Sequence, residues 1–155
     1  MMKLWRPALA GLIAVALVAP AQAAAGDEGR IGTIKVAKGG VSILRGNQKL
    51  EAPPGAALQE SDRVVTAADG SVGITLRDNT LLSAGPNSSL SLDKFSFDST
   101  TNAGVINASL KRGSLSVASG KIAKQSPESV RFSTPTTTLG VRGTEFVIEV
   151  AGTED

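Results

Sequence analysis

The stretch Asp69-Gly70-Ser71-Val72-Gly73-Ile74-Thr75-Leu76-Arg77-Asp78-Asn79 decides the fold class. Val72, Ile74 and Leu76 alternate with Gly73, Thr75 and Arg77, which gives an extended segment one apolar face and one polar face. A helix would scatter the same residues around its axis. Asp69-Gly70 and Asp78-Asn79 bracket the run, and these residue types tolerate the positive φ of tight turns. The segment reads as a half-buried strand between two chain reversals.

The same two-residue period recurs along the chain. Ile34 and Val36 alternate with Thr33, Lys35 and Ala37, and Val41 and Ile43 flank Ser42. Leu90 and Leu92, and later Leu115 and Val117, are separated by serines. Val130 and Phe132 flank Arg131, and Phe146, Ile148 and Val150 alternate with Glu145, Val147 and Glu149. Each set is expected to place its apolar side chains on one strand face. Further turn signals fall at Gly39-Gly40, Gly46-Asn47, Pro86-Asn87, Arg112-Gly113 and Ser119-Gly120. Many short strands punctuated this way predict an all-β domain, built as a coiled or stacked sandwich or a solenoid-like coil. Glu51 to Ala57 contains Pro53-Pro54 and is excluded from a central strand, since proline donates no ladder bond. Asp98 to Gly104 reads as a polar loop.

The first residues follow a different logic. Met1-Met2-Lys3-Leu4-Trp5-Arg6 is a positive start, Ala8 to Ala19 is apolar, and Ala21-Gln22-Ala23 is a small-residue cleavage signal. Residues 1–23 therefore read as a secretory signal peptide cleaved after Ala23, and the apolar run is too short for a membrane anchor. One domain is expected over 24–155, with its core at about 30–150, and no integral membrane segment after cleavage. Lys3 and Arg6 account for two of the 16 basic residues, leaving 14 basic against 14 acidic in the exported chain. A neutral balance argues against nucleic acid as a partner.

The 155 residues include no His, no Cys and no Tyr. That removes imidazole bases, thiol nucleophiles, disulfides and His- or Cys-bound metals, so no enzyme, cofactor or metal site is expected. Ser91-Leu92-Asp93-Lys94 matches the S-x-x-K pattern of penicillin-recognising enzymes. That chemistry needs a helix, whereas strand alternation would put Ser91 and Lys94 on opposite faces. Asp62, Asp69, Asp78, Asp93 and Asp98 are the carboxylates that could converge for acid–base work, but most sit beside turn residues, where capping is their local role.

In order along the chain come Gly32-Thr33-Ile34-Lys35-Val36, Gly40-Val41-Ser42-Ile43, Gly55 to Thr66, Gly70 to Asp78, Leu110-Lys111-Arg112-Gly113-Ser114-Leu115, Thr134-Pro135 and Val141-Arg142-Gly143-Thr144-Glu145-Phe146. This series resembles the FecR-like domain of bacterial periplasmic regulators. The resemblance implies an all-β signalling or binding module on the export side of the membrane, in the periplasm or secreted. Where the family usually has Gly-Asp, this chain has Ser61-Asp62, which marks that turn as a departure. The best-known members carry a cytoplasmic sigma-factor-binding segment and a membrane helix ahead of the domain. Here the signal peptide takes their place, which implies a module standing alone.

Asp62-Arg63 and Arg142-Gly143-Thr144-Glu145 are the candidate interaction motifs. The structural reading of both is the stronger. An Asp ahead of a strand accepts turn amides, and Arg142 and Glu145 would close an ion pair about a free-turning glycine or bond to neighbouring carbonyls. The leading functional reading is a non-catalytic module that binds an envelope protein through a sheet edge. The alternatives are a glycan or cell-wall binding module, which would lack Trp and Tyr platforms, and a self-associating surface or matrix subunit. The residues name neither the partner nor the oligomeric state.

Overall fold

The computed structural model describes residues 29–141 and 144–151. The leader and the cleavage point after Ala23 lie outside the described residues. Twelve strands form one sheet folded over on itself into two layers. They are β1 (Arg30–Lys38), β2 (Val41–Arg45), β3 (Gln48–Glu51), β4 (Ala57–Gln59), β5 (Arg63–Thr66) and β6 (Ser71–Leu76), then β7 (Leu81–Ala84), β8 (Ser89–Phe97), β9 (Gly104–Ala118), β10 (Val130–Ser133), β11 (Thr138–Gly140) and β12 (Glu145–Val150). A five-residue helix α1 (Lys121–Gln125) and a 3₁₀ turn (Pro127–Ser129) connect β9 to β10. No helix among the described residues is long and apolar enough to cross a membrane.

The first layer runs β4-β1-β6-β7-β9-β12 and the second β3-β2-β5-β8-β9-β10-β11. All pairings are antiparallel except that of β9 with β10. The 15-residue β9 belongs to both layers: its first half pairs with β8 and β10, its second half with β7 and β12. Apolar rows cross each inner face. Ile34, Ile74, Leu82, Val117 and Phe146 are in register in the first layer. Leu50, Ile43, Val64, Leu90 and Leu110 are in register in the second. Between the layers the Phe132 and Phe146 rings meet edge to face, with centroids 5.5 Å apart, a favoured aromatic geometry. Nearly every apolar residue picked out by alternation is inside. Val36 is the exception. The register shifts between Ile34 and Val36, so Ile34 is fully buried while Val36 turns to the solvent face at 49% exposure. A bulge adds one residue and reverses the alternation beyond it.

Four of the passages between the layers are tight corners: Gly39-Gly40, residues 67–70, residues 85–88 and Gly113. These corners stack against each other. The Ala67 amide donates to the Gly40 carbonyl at 2.8 Å and the Asn87 amide to the Ala67 carbonyl at 3.1 Å. The Thr66 hydroxyl donates to the Gly85 carbonyl at 2.6 Å and accepts from the Ser88 amide at 2.8 Å. Ser88 Oγ in turn donates to the Ser114 carbonyl at 3.2 Å and accepts from the Ser114 amide at 3.1 Å. Arg112-Gly113, expected to separate two strands, instead bends one strand. Gly113 has φ +91, and a Cβ there would lie 2.1 Å from Ser88 Oγ and 2.5 Å from Ser88 Cα. Conformation and space both require glycine.

A second buried polar cluster anchors α1. Asp78 is fully buried, and its carboxylate accepts from the Thr80 amide and hydroxyl and from the Ile122 amide at 2.8–3.2 Å. The turn aspartate thus caps its own hairpin and also holds a segment more than forty residues away.

Gly113→Ala is expected to destabilise the fold by about 3 kcal/mol or more, since strain and a backbone clash add. Gly46→Ala, with φ +58 and nothing within 4 Å of the new Cβ, is expected to cost only about 1 kcal/mol. Urea midpoints of the two variants check the difference.

Candidate functional site

Asp62 and Arg63, adjacent in sequence, play separate parts. Asp62 is fully buried ahead of β5. Its carboxylate accepts both Arg45 Nε, at 2.9 Å, and an Arg45 terminal nitrogen, at 2.7 Å, and also the Gln59 amide at 2.8 Å. Such a two-pronged guanidinium–carboxylate pair fixes direction as well as charge. The hydrogen bond to Asp62 raises the pKa of Arg45. The Asp62 backbone closes the same knot: its amide donates to the Gln59 carbonyl, and its carbonyl accepts from the Leu92 amide at 2.9 Å. Asp62 thus accepts a turn amide and the Arg45 guanidinium together. Sequence alone does not single out Arg45, because its partner lies across a hairpin and no local pattern links them.

Ser61 is where the chain departs from the expected Gly-Asp. It occupies the third position of the turn closed by Gln59 and Asp62, with φ 71. That position favours glycine. Among the described residues the other non-glycine positions with positive φ are Asn79, Asn87 and Asn102, a type that adopts this region readily. Ser61 therefore keeps the turn geometry at a conformational cost.

Arg63 faces the opposite side of the sheet, where its Nε donates to Ser91 Oγ at 3.3 Å. The expected separation of Ser91 and Lys94 onto opposite faces fails, because the β8–β9 register shifts between Leu92 and Lys94. Leu92 and Phe95 are buried, so Ser91, Asp93 and Lys94 share the solvent side. They lie on a strand, and Ser91 is engaged by Arg63. The aspartates considered for a carboxylate pair hold separate places. Asp69 accepts from the Gly40 amide, Asp93 from the Ser109 hydroxyl and Asp98 from the Thr100 amide, while Asp62 and Asp78 are buried in the knots above. No group of three or more His, Cys, Asp or Glu among the described residues could hold a metal.

Of the second motif, Arg142 and Gly143 lie outside the described residues, and with them the expected ion pair. Thr144 and Glu145 are exposed and lead into β12. The Thr144 carbonyl accepts from the Ser119 amide at 2.7 Å. In an antiparallel ladder, bonded and non-bonded pairs alternate. With Glu145 opposite Ala118, this bond directs the backbones of Phe146, Ile148 and Val150 toward β9. The amides and carbonyls of Glu145, Val147 and Glu149 then point away from the sheet. Among the described residues β12 has no neighbour on that side. At six residues it is longer than the other terminal strands β3, β4 and β11. Val147 is the most exposed large apolar residue described, at 66%. Leu81, 49% exposed, stands on the same face, in the row that ends at Glu145. The site is thus an open six-residue edge with one bare valine between two glutamates.

A protein-family model described as FecR protein matches residues 62–155, more than half of the sequence. The chain belongs to the FecR family. The match opens at the buried Asp62 and takes in β5 to β12. The two layers also need β1 to β4, since β1 pairs with β6 and β2 with β5. No curated protein and no solved structure matches the chain. Membership supports a signalling-related module of the cell envelope.

Removing the guanidinium that compensates a buried carboxylate is costly, so Arg45→Gln is expected to lower stability by about 3 kcal/mol. Ser61→Gly is expected to raise it by about 1 kcal/mol. Denaturant melts of both variants test the two assignments. A neutral Arg45→Gln would contradict the anchoring role of Asp62, and a destabilising Ser61→Gly the strain at Ser61.

Proposed function

We propose that this protein is a non-catalytic signalling module, exported to the periplasm or secreted, that recruits an envelope protein by adding one strand of that protein to β12. The open edge carries the reading. Glu145, Val147 and Glu149 present main-chain donors and acceptors that have no strand partner among the described residues, and main-chain bonding supplies affinity in strand addition. Their side chains set the specificity. A complementary strand has an apolar residue opposite Val147 and Lys or Arg opposite each glutamate, because opposite charges across strands stabilise and like charges destabilise.

The same charges disfavour the self-associating subunit. Two copies of β12 paired antiparallel about Val147 would set Glu145 of each against Glu149 of the other. Charged residues on an edge commonly prevent such pairing. Family membership supports a regulatory rather than chemical role.

Val147→Pro removes an outward amide and no bond to β9, so the thermal midpoint is expected to stay within a few degrees of the parent, for a change below about 1 kcal/mol. A photo-crosslinking side chain at position 149 is expected to give a discrete adduct in the native envelope, and the proline is expected to abolish it. An adduct that survives Val147→Pro, or loss of fold together with adduct, contradicts strand addition at β12.

A further inference from the structure

The solvent face of the second layer carries a cleft lined by no residue of β12 and independent of the proposal above. One register row crosses it: Leu44, Arg63, Ser91, Ser109 and Ser133 stand opposite one another on β2, β5, β8, β9 and β10. In the next row Val65 faces Ser89, and Ser89 faces Arg112, with Lys111 as the extra residue of a bulge. All of these but Ser91 line a cavity of about 660 Å³, a volume typical of ligand sites. Ser89 is only 6% exposed although it faces outward. The floor is therefore recessed, and its hydroxyls sit below a rim of Arg63, Lys111 and Arg112. None of these three cations has a carboxylate within ion-pair distance among the described residues, and no acidic side chain lines the cavity.

We propose that this cleft binds an acidic oligosaccharide, with its carboxylates on Arg63 and Arg112 and its hydroxyls on the serine row. Unpaired cations over a recessed floor select an anion, and the planar guanidinium fork suits carboxylates. The Ser89 and Ser133 hydroxyls can both donate and accept, and Ser109 Oγ, which donates to Asp93, keeps acceptor lone pairs, which matches a polyhydroxylated ligand. Ser109 and Ser133 stand opposite one another on neighbouring strands, one interstrand spacing of about 4.8 Å apart, close to the length of one pyranose unit. An acidic peptide fits less well. In the cavity β5, β8 and the first half of β9 are paired on both sides, so no main-chain edge is free for an extended strand. Leu44 and Val65 supply the apolar contact that an aromatic platform provides elsewhere.

Calorimetric titration of the exported chain with tetragalacturonate tests the assignment, against its methyl ester and tetraglutamate. Saturable binding is expected for tetragalacturonate alone. It should weaken with added salt, weaken about tenfold in Arg63→Gln and again in Arg112→Gln, and be unchanged in Val147→Pro. Arg112 is exposed, so its variant decides the question if Arg63→Gln unfolds in thermal melts. The proposal is overturned by absence of saturable heat, by equal affinity in Arg112→Gln, by equal binding of the neutral ester, or by tetraglutamate binding as tightly, which would make the cleft an acidic-peptide site.

Discussion

The contact between Ser88 and the β9 backbone at Ser114 is the constraint on which the molecule depends. One hydroxyl donates to a carbonyl and accepts from an amide of the same residue, across a gap that is open only because residue 113 has no side chain. That contact fixes the bend at which β9 leaves one layer and enters the other. The corners at residues 85–88, residues 67–70 and Gly39-Gly40 are stacked on this one through Gly85, Thr66, Ala67 and Gly40. Apolar burial drives the two faces together, but it has no direction. The polar corners set the direction, because an unsatisfied buried backbone group would cost more than the packing could offset. Once β9 is bent, β12 must lie along its second half as an outer strand.

Much of this fold is legible in the sequence because alternation reports burial directly. Val72, Ile74 and Leu76, and likewise Leu115 and Val117, point inward as their two-residue period demands. What periodicity misses is non-local. A bulge after Ile34 exposes Val36, and another after Leu92 puts Lys94 on the face of Ser91, since one added residue reverses the pattern without any local mark. Gly113 carries the signal of a turn, but whether such a glycine reverses a chain or bends a strand depends on what packs against it. Here that is Ser88, some 25 residues upstream.

The candidate sites divide along the same line. Asp62 is readable as a turn residue, whereas its pairing with Arg45 is not, because the contact forms only when β2, β4 and β5 come together. Val147 stands in the polar phase of β12 between two glutamates, so alternation alone marks it as an apolar residue on the water side. That its backbone faces no neighbour among the described residues follows from β9, whose pairing order cannot be read from periodicity. The cleft around Arg63 depends on the register of five strands, and register sits still further from local pattern.

Amide hydrogen exchange along β12 in the free protein tests the arrangement most directly. The account predicts alternation: slow exchange at Phe146, Ile148 and Val150, whose amides bond to β9, and fast exchange at Glu145, Val147 and Glu149. Uniform protection would mean that the edge is already covered, and uniform fast exchange that β12 is not docked. Either result would contradict a strand held on one side and open on the other.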